Sequence, residues 1–317
     1  MKIGLIDVDG HNFPNVPLMK ISAHYKKRGH LVEFYEPLSG IYEPYDTVFM
    51  SKVFSFTEDY RFPIYAKKII KGGTSYDLKN KLPPEIETEY PDYSLYNVEK
   101  IGYGFLTRGC PRGCEFCAVQ DKEGTCSTKV ADLSQFWRGQ REIKLLDPNL
   151  LACGDKIDLL HQLIDSKAYV DFTQGLDVQL MSEELSELIM KIKIKRIHFA
   201  WDFEKNSEII KSKLKRFKEF SGLDYTKLNV YVLVNFNTDF EFDLERVYTL
   251  RDMGYNPYIM IYDKEHAPQN IRRLQRWVNN RIIFRTVERF EDYKPNLPDK
   301  IKRQEKTKNT ASDGVFV

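Results

Sequence analysis

The chain has 317 residues, 42% of them hydrophobic, enough to bury one large core or two ordinary ones, which excludes disorder throughout. With 48 basic against 46 acidic residues, the net charge of +2 excludes a global field drawing the protein to nucleic acid or a membrane surface. Five cysteines, odd in number and clustered, exclude a disulfide framework, and in a reducing compartment they point to metal.

The opening run MKIGLIDVDGHN turns polar and acidic too soon for a secretory apolar segment, and no run approaches the roughly 20 apolar residues of a membrane span. The cytoplasm is the expected compartment, without a membrane partner. Residues 1–73 read as a small Rossmann-like α/β domain: an apolar run KIGLIDV, a loop DGHNFPN, a helical stretch VPLMKISAHYKKRG ending on Gly29, then LVEFYEP and TVFMSKV. Two or three parallel strands are expected. Residues 74–100, rich in proline, tyrosine and acid, lack periodicity and read as a linker.

From Ile101 apolar runs alternate with amphipathic segments. The strand candidates are IGYGFLTR, REIKLLD, YVDFTQGL, RIHFAWD, NVYVLVNF and NPYIMIYD; the helical ones are VADLSQFW, DKIDLLHQLIDSK, SEELSELIMKIK, SEIIKSKLKRFKEF and DLERVYTLRDMG. Six such units imply a parallel sheet covered by helices over residues 101–294, as an open six-unit barrel or a doubly wound sheet, with functional groups at the C-terminal strand ends. The segment APQNIRRLQRWVNNRIIFR reads as one helix and a short strand, and residues 295–317 as a polar, disordered tail.

Directly after the first of the six strands stands GFLTRGCPRGCEFCAV, with Cys110, Cys114 and Cys117 in the spacing C-x-x-x-C-x-x-C. Gly109 and Gly113 let the backbone fold tightly, and three thiolates this close converge only in a compact loop. Three thiolates supply three of the four ligands of a [4Fe-4S] cluster and leave one iron open. The bland alternative is a structural zinc site completed by Cys126 or a histidine, although zinc sites usually show two separated C-x-x-C pairs. Cys126 and Cys153 carry no assigned role.

These residues resemble the radical S-adenosylmethionine superfamily, whose signature is C-x-x-x-C-x-aromatic-C, with Phe116 as the aromatic; the likeness covers residues 101 to about 290. It implies a partial (β/α)6 TIM-like barrel preceded by the Rossmann-like domain. It further implies an enzyme that cleaves S-adenosylmethionine reductively to a 5′-deoxyadenosyl radical, which abstracts hydrogen from a substrate, with electrons from a donor such as flavodoxin or ferredoxin. The cofactor carries the hard chemistry and the protein orients it. By this likeness Phe116 lies against adenine, and Asp147 and Asn149, ending the second strand, stand where the family more often has glycine-glycine-glutamate. Gln174 and Asp177 after the third strand, Trp201 and Asp202 after the fourth, Asn235 after the fifth and Tyr262 after the sixth are the remaining rim positions.

The N-terminal run is also similar to the cobalamin-binding-type domain of one radical enzyme class, but Asp9, Gly10 and His11 do not form the Asp-x-His-x-x-Gly motif, so cobalamin is not expected. Between His266 and Arg285 lie five arginines and no acids, interleaved with Trp277 and Phe284. That stretch could grip phosphate or stack bases, or be a solvated helix face. It sustains one rival reading, a metal-stabilised nucleic-acid-binding module without radical chemistry.

Overall fold

The computed structural model describes residues 1–295, so the expected tail lies, but for its first residue, outside the described residues. The chain is α/β, built on two parallel sheets. In the first, β1 (Lys2–Asp7), β2 (Leu31–Phe34), β3 (Tyr45–Ser51) and β4 (Ala66–Gly72) lie in the order β2-β1-β3-β4, connected in part by α1 (Val16–Lys27) and α2 (Pro37–Tyr42). Asn15 starts α1: its side-chain oxygen accepts from the Leu18 amide at 3.2 Å, and its amide donates to Ser51 at 2.8 Å, fixing the helix to the end of β3. The sequence suggested two or three strands and hid β4. That strand is an edge carrying Lys67, Lys68 and Lys71, so it lacks the apolar alternation of a half-buried strand.

Residues 74–100, expected as a plain linker, are folded onto α1. They form α3 (Pro84–Glu87) and a 3-10 turn over Tyr93–Tyr96. Lys20 reaches Glu87 at 2.8 Å, Ser22 donates to Asp92 at 2.6 Å, and Ile86 joins Leu18 and Ile21 in the first domain's core.

The second sheet orders its six strands as β5 (Ile101–Gly104), β8 (Glu142–Leu145), β9 (Tyr169–Phe172), β10 (Lys193–Ala200), β11 (Leu228–Val234) and β12 (Asn256–Ile261), each beside the next. Between β5 and β8 the chain makes β6 (Thr107–Arg108), α4 (Val119–Glu123) and β7 (Thr128–Lys129). The later crossovers are α5 (Lys156–Ser166), α6 (Glu183–Lys191), α7 (Ser207–Ser221) and α8 (Phe240–Asp252), followed by α9 (Gln269–Asn279) and α10 (Arg281–Thr286). The strand order never reverses, unlike that of a doubly wound sheet. One face is apolar: Ile143, Val170, Ile197, Val230 and Ile259 are fully buried with Leu163, Ile189, Leu214 and Val247 of the helices.

Two sequence expectations fail locally. VADLSQFW is not a helix; only Leu133–Gln135 make a 3-10 turn, and Phe136 covers β5 instead. A Cβ on Gly104 would come within 2.2 Å of the Phe136 ring, so glycine in that strand makes room for it. RIIFR is helical in α10 rather than a strand, because Asn280 accepts from the amides of Ile282 and Ile283 and restarts the helix against the β preference of the isoleucines.

Candidate functional site

The three clustered cysteines lie in a loop closed at its base by an antiparallel ribbon, in which Thr107 pairs with Lys129 and Arg108 with Thr128. Gly109 has φ +86°, and a Cβ there would stand 2.1 Å from the Cys126 carbonyl, so the loop closes only with glycine. The Cys110 amide donates to the Gly124 carbonyl at 3.1 Å, Gln120 donates to the Cys110 carbonyl at 3.0 Å, and the Cys117 amide donates to the Cys114 carbonyl at 2.9 Å. The backbone of the loop is thus held by its own amides and the thiols are left over.

Cys110 and Cys114 are half-buried and Cys117 is exposed. Burial pushes the Cys114 thiol up to about 11, with Asp202, Cys117 and Cys110 adding to the effect, and burial raises Cys117 as well. Cys114 and Cys117 are thus electrostatic neighbours whose protonated forms are favoured; a bound cation reverses that balance, because a metal favours the thiolate. Among the described residues, no three His, Cys, Asp or Glu side chains converge as tightly as a single metal ion requires.

Strand ends supply the surroundings. Asn149, fully buried, points its amide at Cys110 Sγ (3.5 Å) and at Asp177 (3.2 Å), while its Oδ1 has no partner. Asp177 caps the turn at Val178–Leu180 and receives a two-pronged contact from Arg112 of the cysteine loop, Nε to Oδ2 at 2.6 Å. Asp147 stands one step behind. Its Oδ1 accepts from the Leu106 amide (3.1 Å) and the Thr107 hydroxyl (2.7 Å), bracing the start of β6, while its Oδ2 is buried without a partner. Burial pushes Asp147 up to about 6 against those hydrogen bonds. Asp202 retains some solvent contact yet lies deep among protein atoms, and burial pushes it, too, up to about 6; its Oδ1 accepts from the Leu233 amide at 3.3 Å. Trp201, expected at the rim, is fully buried and donates to Ser207 at 3.0 Å. Asp202, the next residue, keeps the solvent contact that Trp201 lacks.

An aromatic group covers one flank of the loop. Phe116 lies 5.6 Å from Phe203 and 5.5 Å from Phe236, and Phe236 lies 4.7 Å from Tyr262. Asn235 and Asn237 both adopt positive φ (66° and 52°), a turn that asparagine tolerates and that carries Phe236 between them. Asn235 spends its amide on the Tyr262 carbonyl at 2.9 Å, joining the ends of β11 and β12. Gln174 is exposed and makes no side-chain hydrogen bond among the described residues.

Phe116, Asn149, Asp177 and Asp202 thus surround the cysteines, and Asn235 and Tyr262 join them through Phe236. The sequence reading missed Arg112, Phe203 and Phe236. Arg112 sits between two of the cysteines and Phe236 inside VNFN, so both positions were in view; their contacts across the rim were not. It also missed Arg246, fully buried on α8. Arg246 pairs with the equally buried Asp243 and donates to the Trp201 carbonyl (2.6 Å) and the Leu233 carbonyl (2.8 Å), bracing the strands that carry Asp202.

Cys126 is exposed, and Cys153 is buried with Sγ 4.0 Å from Asp155. His11 stacks on Phe34 at 4.0 Å. The basic segment turns inward: Arg272 donates to the Ala267 carbonyl (3.0 Å), Arg273 to the Tyr293 carbonyl (2.9 Å) and Arg281 to Asn229 (2.8 Å), while Trp277 and Phe284 are buried. No helix among the described residues is long and apolar enough to cross a membrane.

Comparison with protein-family models and with curated proteins finds no match to this chain.

Proposed function

We propose that the chain is a radical S-adenosylmethionine enzyme, its six-stranded sheet curved as an open partial barrel and its cysteine loop holding a [4Fe-4S] cluster. The observation that carries the reading is the convergence of Asn149, Asp177, Asp202 and the Phe116 aromatic group on one loop that bears three thiols and follows the first of six sequential parallel strands. Bound there, the cluster would supply the electron that cleaves S-adenosylmethionine to methionine and a 5′-deoxyadenosyl radical.

The residues suit that load. Three thiols within eight residues would supply three of the four ligands of a cubane and leave one iron open. The unpartnered Oδ1 of Asn149, beside Cys110, is an acceptor for an ammonium group. Phe116, Phe203, Phe236 and Tyr262 offer edges and faces to a purine. Arg112 is neutralised by Asp177, so it steadies the loop. The rival nucleic-acid reading draws less support, because three of the five segment arginines bond the protein's own oxygens.

The test is metal content. Anaerobic reconstitution with iron and sulfide should give brown protein with about four irons per chain, and Cys114→Ala should bind less than half as much. A colourless protein that retains one zinc and takes up no iron would overturn the proposal.

A further inference from the structure

The face of the six-stranded sheet opposite the helices carries a row of a different kind. Tyr103, Lys144 and Asp171 are register partners across β5, β8 and β9, Arg196 is the partner of Asp171 on β10, and Tyr231 and Tyr258 are partners across β11 and β12. His198 on β10 completes the row: its ring stacks on Tyr231 with centroids 4.9 Å apart and planes 9° apart. The neighbours of these residues along the strands, Ile143, Val170, Ile197, Val230 and Ile259, are the aliphatic core of the other face. Polar and aromatic residues in every strand of one face, across a sheet whose other face is wholly apolar, suit a ligand better than packing.

The two cations of the row, Lys144 and Arg196, are not spent on its carboxylate. Asp171 is 3% exposed, its Oδ1 is enclosed without a hydrogen-bond partner, and His198 Nδ1 is 3.6 Å away. That nitrogen lies 3.1 Å from the Phe172 carbonyl, which can only accept, so it holds the proton and gives it to the carbonyl. Lys144 turns toward the rings of Tyr103 and Phe13, 5.4 and 5.6 Å from their centroids, and neither Lys144 nor Arg196 forms an ion pair among the described residues. A buried carboxylate without a donor costs several kcal/mol unless something supplies one.

The row opens at its flanks: Phe13 from the first domain is 44% exposed on one, and Tyr258, Met260 and Tyr262 are 46%, 43% and 43% exposed on the other, while Lys144, Arg196 and Tyr231 are half-buried between. Along β10, Ala200 is exposed between His198 and Asp202, so the same face continues from the row to the cysteine loop over about 13 Å at the usual rise of a strand.

We infer that this face seats a substrate bearing an α-amino-acid head group, its ammonium on Asp171, its carboxylate on Lys144 and Arg196, and an apolar or aromatic side chain against Tyr231 and Tyr258. Two unpaired cations flanking one carboxylate that lacks a hydrogen-bond donor complement a zwitterion better than an ion of either sign. The inference names the substrate class of the proposed enzyme, and rests on that reading only in giving the seated group a radical to meet.

The experiment uses three ligands of one skeleton, phenylalanine, phenethylamine and 3-phenylpropionate, titrated calorimetrically into the full-length protein without S-adenosylmethionine. Phenylalanine should bind at least tenfold more tightly than either singly charged analogue. Asp171→Asn should bring it to the level of phenylpropionate, and Lys144→Met should weaken phenylalanine and phenylpropionate while sparing phenethylamine. Tyr258→Ala, at an exposed position, should weaken all three and serves if Asp171→Asn does not fold. Equal affinities for the three, no binding, or a Tyr258→Ala protein that binds as the parent does would overturn the seat. Formation of 5′-deoxyadenosine is assayed separately. Its presence with a failed titration rejects the seat alone, and its absence with a successful titration rejects the radical reading alone.

Discussion

Gly109 shows how much of the site hangs on one backbone position. Its φ of +86° and the 2.1 Å approach that a Cβ would make to the Cys126 carbonyl leave no room for alanine. Gly109→Ala should cost about 2 kcal/mol or more, from left-handed strain plus overlap, and halve the iron taken up on reconstitution; a variant with parental denaturant midpoint and iron content would contradict the loop geometry. Asp147 makes a different prediction. Its folded pKa of about 6 lies above the ordinary carboxylate value, so the folded protein binds the extra proton between about pH 4 and 6, and the stability this gives is lost as the pH rises through that window. Asp147→Asn should therefore lose less stability than the parent between pH 4 and 7, by roughly 2–3 kcal/mol; parallel urea-unfolding curves across that range would show that the carboxyl is not so raised. Asp147 also marks how far residue reading goes. Asp-Pro-Asn supports a turn and a ligand site equally well in sequence, and the partners of its Oδ1, Leu106 and Thr107, lie some 40 positions away, beyond the reach of local pattern.

At the scale of elements, β10, β11 and α8 are joined at one buried point. Arg246 holds the Trp201 and Leu233 carbonyls while Leu233 donates to Asp202, so the rim position of Asp202 is fixed from below by a charge pair that no water reaches. Arg246→Met should cost about 3–5 kcal/mol by stranding Asp243, and the double variant Asp243→Leu, Arg246→Met should recover most of it. Thermal unfolding of the three proteins checks this; a double variant as unstable as the single one would mean that the carbonyl contacts, not the pair, carry the cost. The six strands were legible because buried parallel strands are continuous apolar runs, as in NVYVLVNF, bounded by turn residues. The elements that escaped were those whose pattern is set from outside. β4 is an edge masked by lysines, and α10 is a β-branched run turned helical by the cap from Asn280.

For the whole molecule, the two sheets are joined where Val16 and Met19 of α1 pack with Tyr93, Tyr103 and Leu146, and Phe13 meets Tyr103 edge-on at 5.6 Å. The first domain thereby closes one flank of the open sheet face, an arrangement that sequence alone could not show because it depends on residues 74–100 folding back along α1. The cysteine loop and its place after the first of six strands were legible, since spacing and order are local. The aromatic group, the Arg112–Asp177 contact and the row on the open face were not, since each joins residues from separate strands. What unites these features in the proposed account is a single reaction, and the most direct test is to reduce the anaerobically reconstituted protein, add S-adenosylmethionine, and quantify the products. The account predicts 5′-deoxyadenosine and methionine in amounts that exceed the enzyme, abolished in Cys114→Ala; iron-loaded, reduced protein that leaves S-adenosylmethionine intact would contradict it.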